Sequence, residues 1–119
     1  MSDFGSAFPL AADAGSQQPW SAGNNQLSLR AELAERGALR YTPAGVPAVE
    51  CLLAHRSLQT EAGIQRQIQL EISALALAEM AMQLAQIDPG TQLEVQGFLA
   101  PQRKSGKSLR LHLTRIDII

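Results

Sequence analysis

Five stretches of this chain alternate apolar and polar residues with a period of two, and this period limits what it can fold into. Gln26 to Leu33 places Leu27, Leu29, Ala31 and Leu33 on one parity. Val49 to Gln59 reads as a second strand, with Cys51, Leu53 and His55 on the parity of Val49. In the third and cleanest stretch, Ile64, Ile68, Leu70 and Ile72 alternate with Gln65, Gln67, Gln69, Glu71 and Ser73. Leu93, Val95, Gly97 and Leu99 form a fourth, and Leu109, Leu111 and Leu113 start a fifth. In an extended chain successive side chains point to opposite faces, so each stretch predicts a half-buried strand.

The interruptions are as informative. Gly37 permits a bend or bulge, and Thr42-Pro43-Ala44-Gly45 is a turn signal. Thr60-Glu61-Ala62-Gly63 fits a hairpin turn between the second and third strands. Arg66 breaks the apolar face beside that turn, so the hairpin tip is expected to project beyond the core. The period then lengthens: Leu77, Met80, Leu84 and Ile87 recur at spacings of three and four among alanines, predicting a short amphipathic helix. Asp88-Pro89-Gly90 ends it. In the fifth strand the phase changes, because Ile116 and Ile118 fall on the other parity. A bulge near Leu113-Thr114 is the expected cause.

Strand, strand, strand, helix, strand, strand is the connectivity of the OB-fold, a five-stranded Greek-key barrel. An all-β OB-fold over residues 24–119 is therefore predicted, with one short helix between the third and fourth strands. Residues 1–23 are rich in Ala, Ser, Gly and Pro, show neither period, and are expected to be a disordered tail. OB barrels bind oligonucleotides or oligosaccharides on the strand 2–3 face and in the 1–2 and 4–5 loops. Here the first of those loops carries Arg40 and Tyr41, and the second, Pro101 to Lys107, carries Arg103, Lys104 and Lys107.

Catalytic constellations are missing. No GxxxxGK[ST] or GxGxxG segment occurs, and no Ser-His-Asp or Cys-His arrangement is visible, so an enzyme is not expected. Cys51, the one cysteine, shares the parity of buried positions and reads as a small core hydrophobe. With only His55 and His112 beside it, it cannot build a zinc site, and neither metal nor cofactor is expected. No apolar run reaches the roughly 18 residues of a membrane span. The start of the chain lacks the basic segment of a secretory signal, so a reducing, cytoplasmic setting is expected.

The net charge of −1 conceals an asymmetry. From Pro101 onward the chain carries Arg103, Lys104, Lys107, Arg110 and Arg115 against a single acid, Asp117. Like charges crowded into a short loop favour a polyanion partner. Single-stranded nucleic acid also demands flat side chains for stacking, and after residue 24 the aromatics are only Tyr41 and Phe98. Electrostatic binding without sequence reading is the expectation.

His55-Arg56-Ser57-Leu58-Gln59-Thr60-Glu61-Ala62-Gly63, followed by Arg66-Gln67, resembles the primosomal replication protein N (PriB) family. Gly45-Val46-Pro47, Val95-Gln96-Gly97-Phe98-Leu99 and Leu111-His112 extend the likeness across residues 24–119. The glycine-turn and Gln-Gly-Phe pieces alone would also fit single-stranded DNA-binding proteins. The resemblance implies a homodimeric, nucleoid-associated accessory that binds single-stranded DNA and contacts the PriA helicase at stalled forks. Carried over by position, it implies DNA contacts at Arg40, Arg56, Arg66, Arg103, Lys104 and Lys107, to which the expected binding face adds Tyr41, Gln69 and Arg110. The chain departs from the family at Ile64 and Gln69, where well-known members carry aromatics, and in a slightly shorter 4–5 loop. Both departures add weight to a protein-interaction role with little direct DNA affinity. A conventional single-stranded DNA-binding protein is the other alternative.

Overall fold

The computed structural model describes residues 20–119. The expectation of a disordered tail therefore falls, for residues 1–19, outside the described residues. Residues 20–26 carry no regular structure. Six strands and one helix follow: β1 (Leu27–Arg36), β2 (Arg40–Tyr41), β3 (Pro47–Glu61), β4 (Ile64–Leu77), α1 (Glu79–Leu84), β5 (Gln92–Pro101) and β6 (Leu109–Ile118).

The sheet order β1-β5-β6-β4-β3 closes on itself because β1 also pairs with β3. Five long strands thus form a closed barrel, and the two-residue β2 is added outside β3. Most pairs are antiparallel. The seam between β4 and β6 is parallel and short, with Ala74 opposite Leu111 and Leu75 opposite His112. This is the predicted OB-fold, five main strands and one helix.

The core follows the alternating parities. Leu33, Val49, Leu53, Leu93, Val95 and Leu111 are fully buried, and Leu84 of α1 joins them. Each such side chain removed from water stabilises the fold by roughly 1.5–3 kcal/mol. The phase change in β6 has the predicted origin. Gln96 faces Arg115 while Gly97 faces Leu113, so Thr114 is the extra residue of a bulge. The bulge lets Leu113 and Ile116 both point inward despite their opposite parities. Ile118, expected to follow Ile116 inward, remains exposed.

Two expectations need correction. The helix spans only Glu79–Leu84, because Leu77 ends β4 and Ile87 is buried from the turn beyond α1. The Arg36 guanidinium donates to the carbonyls of Ala85, at 3.0 Å, and Ile87, a favourable cation for a C-terminal helix end. The residues Arg40–Tyr41, read as loop, form β2.

The β3–β4 hairpin extends well past the barrel. β1 pairs with β3 only as far as Ala54, whose β4 partner is Glu71, so residues 55–70 form a two-stranded arm. Leu58, Ile64 and Leu70 are exposed on it, as expected of a tip that leaves the core. Its turn, Ala62-Gly63, has positive φ at both residues (54° and 76°). That is the mirror-image turn whose twist suits a hairpin, and Ala62 adopts it less readily than a glycine would. The arm's base is tied to β1 by His55. Its Nδ1 lies 2.6 Å from the Arg30 carbonyl and its Nε2 2.8 Å from the Ser57 hydroxyl. Donation from Nδ1–H to the carbonyl leaves Nε2 to accept from Ser57, the tautomer of a structural histidine.

Candidate nucleic-acid interface

Register decides which of the expected residues share a surface. Arg56 faces Gln69 across β3–β4, and both point away from the barrel interior. On the same outer face lie Glu50, Leu52 and Ser73, followed by Arg110 and His112 of β6. A groove runs over this face, lined by Gly37, Glu50, Leu52, Gln102, Arg103 and Arg110. Arg66 is opposite Gln59 on the other parity, so the structure places it on the reverse face of the arm. There its guanidinium is bound to Glu61. Tyr41 is exposed but, on β2, turns to the side opposite its neighbour Arg40.

The cations differ in what they already hold. Glu50 Oε2 accepts from Arg40 Nη2 at 2.9 Å and from Arg110 Nη1 at 3.1 Å. One carboxylate therefore occupies two of the expected phosphate contacts. Among the described residues, Arg56, Arg103, Lys104 and Lys107 make no ion pair. They are exposed; three of them lie in the β5–β6 loop, whose Arg103 lines the groove, and Arg56 lies on the arm beside Gln69. Glu50 is a residue that sequence reasoning missed. Its parity placed it on the binding face, but its pairing with Arg110, sixty residues away, needed the fold.

Phe98 and His112 face each other across β5–β6, with ring centroids 5.0 Å apart and planes 17° from parallel. Burial, and secondarily the Arg110 charge, lowers the His112 pKa from its ordinary 6.5. Both causes favour the neutral ring. Arg110 Nε and His112 Nε2 are buried without a hydrogen-bond partner among the described residues.

The sign of the His112 effect is fixed. The folded state resists the proton that the unfolded chain takes up below about 6.5. This contribution to stability is full above that pH and is lost as pH falls through the lower folded value. Urea midpoints measured from pH 7.5 to 5 are expected to fall on the acid side, with a smaller fall in His112→Asn. Equal falls in both proteins would refute the assignment.

Elsewhere, Cys51 is buried and desolvation pushes its thiol up to about 12, so it is an inert core residue. Among the described residues no cluster of His, Cys, Asp or Glu could hold a metal ion. No described helix is long and apolar enough to cross a membrane.

A closed OB barrel with exposed cations on its β5–β6 loop is the architecture of the single-strand-binding class. The sequence profile of a family described as "another single-strand binding protein family" matches residues 25–115. The chain is 52% identical over 89 residues to the replication restart protein PriB of Bordetella pertussis, covering 75% of this chain and 83% of that protein. The solved structure of PriB from Ralstonia solanacearum superposes with a TM-score of 0.73 at 43% identity, covering 81% of this chain and 98% of that one. A deletion mutant of the single-stranded DNA binding protein from Thermus aquaticus gives a TM-score of 0.66 at 25% identity, over 82% of this chain and 51% of that one. The chain belongs to the PriB family of replication restart proteins, which are binding proteins and not enzymes.

Proposed function

We propose that the protein binds single-stranded DNA as a replication-restart accessory, and that it supports the PriA helicase at stalled forks. The observation that carries this reading is the set of exposed cations without an ion pair, Arg103, Lys104 and Lys107 on the β5–β6 loop and Arg56 on the arm. With Arg40 and Arg110 occupied by Glu50, about four phosphates are neutralised per protomer. At roughly 0.7 per phosphate, the salt slope for a single strand is then near −3. Titration of labelled oligothymidine against the purified protein, repeated across salt, is the direct test. Micromolar binding with that slope supports the reading, and no binding at tens of micromolar in low salt would end it.

Glu50 sets the affinity in this reading. Exposed ion pairs are worth little, so incoming phosphate can displace the carboxylate, but the carboxylate competes and repels. Glu50→Gln frees two guanidinium groups. Affinity is expected to rise roughly three- to tenfold, and the slope to steepen toward about −4. Weaker binding by Glu50→Gln would show that Glu50 positions the arginines rather than blocking them.

A second reading, a protein-interaction barrel with little DNA affinity, draws on the same carboxylate and on Ile64 and Gln69 in place of aromatics. Stimulation of helicase unwinding by a DNA-binding-deficient variant would favour it. A homodimer is proposed as well. The free edge of β1 before Glu32 offers backbone for self-pairing, and the mass in solution decides it.

A further inference from the structure

Next to the cationic groove lies a hollow whose lining includes Gly97, Phe98, Thr114, Asn25 and Gln26. Three observations single it out. Phe98 is a large apolar ring left 41% exposed on a strand whose other apolar residues are buried or half-buried. Its packing partner is another flat ring, His112, nearly parallel to it, so Phe98 is held at a fixed tilt instead of lying down on the surface. Gly97 also lines it, held in place where the His112 main chain comes too close for any side chain.

The rim is polar and firmly placed. Asn25 Nδ2 donates to the Leu99 carbonyl at 2.8 Å, and its Oδ1 accepts from the Leu99 N–H at 2.9 Å. The chain that walls the hollow is therefore fastened to β5. The Thr114 hydroxyl donates to the Gln96 carbonyl at 3.3 Å and keeps its lone pairs for an incoming donor. An open aromatic face with polar groups at the edge suits a flat heteroaromatic ring whose margin carries donors and acceptors.

We infer that Phe98, braced by His112, stacks one nucleobase of a bound single strand in the hollow over Gly97. The inference rests on the DNA-binding reading and deepens it by assigning a base contact to a site otherwise held by phosphates. Phe98 carries no charge, and burial and the Arg110 charge hold the His112 pKa below its ordinary value. The contribution of the pair is therefore independent of salt.

The test separates stacking from charge. Full-length protein, Phe98→Ala and Phe98→Trp are titrated with oligothymidine and with an abasic oligomer of the same length, across salt. Phe98→Ala is expected to bind oligothymidine about tenfold more weakly with an unchanged salt slope, and the abasic strand as well as the unaltered protein does. Phe98→Trp is expected to restore oligothymidine binding. Equal loss on both strands, or no loss on oligothymidine, overturns the inference while leaving the DNA-binding reading intact. No binding of either strand by the unaltered protein overturns both.

Discussion

Replacing Arg103, Lys104 and Lys107 together by glutamate is expected to lower affinity for single-stranded DNA on the order of a hundredfold or more near 0.1 M salt. These three residues supply most of the unpaired cations of the candidate interface, and none rests on a carboxylate among the described residues. Three fewer phosphate contacts flatten the slope by about 2. The reversed loop also repels the strand at long range, so association should slow more than dissociation quickens. The fold should be indifferent, since all three side chains are exposed and the loop contributes nothing to the core. Anisotropy titrations across salt, with thermal melts as a control, check it. A triple variant with wild-type affinity and slope would remove the loop from the interface.

Gly97→Val is expected to do the opposite, damaging the barrel before any contact with DNA. A Cβ at Gly97 would sit 2.1 Å from the backbone oxygen of His112 and 2.9 Å from its carbonyl carbon. Both belong to main chain, so no rotamer change relieves the clash. β5 and β6 must separate at the bulge that brings Leu113 and Ile116 into the core together. The cost should be about 3 kcal/mol or more, as in an overpacked interior. For a domain of this size the melting temperature then drops by roughly 10 °C. Gln96→Val, one residue earlier and exposed, is the comparison and should shift it little. If both variants melt alike, the strands have more freedom at Gly97 than their packing indicates.

The barrel could be read from the sequence because each strand states its own period. Leu93-Val95-Gly97 and Leu109-Leu111-Leu113 declare their inward faces locally, and even the bulge at Thr114 was visible as a break in parity. Short elements were less legible. Arg40–Tyr41 has no period to show, and β4 runs on through Leu77 into residues whose spacing also suits a helix. At the site, the basic loop was apparent because its charges adjoin in sequence. Arg66 shares the parity of Ile68 and Ile72, so the sequence already set it on the face opposite Gln69. What escaped was set by distant pairing: Glu50 reaches Arg110 only when β6 closes on β4. Phe98 was counted as an aromatic, but its value depends on His112 opposite it.

The double engagement of β1 also shapes how the molecule comes into being. Its first half finds its neighbour at residues 92–97 and its second half at 51–54, so the first strand made must wait for the fifth. Such sequence-distant pairing makes folding slow, in the millisecond-to-second range of barrels of this kind. On the ribosome, a chain not yet extended through β5 has an unsealed wall and no way to shield Leu33 and Leu53 from water. Acquisition of structure should therefore come late and all at once, and protease sensitivity of arrested nascent chains should vanish abruptly only after β5 and β6 emerge.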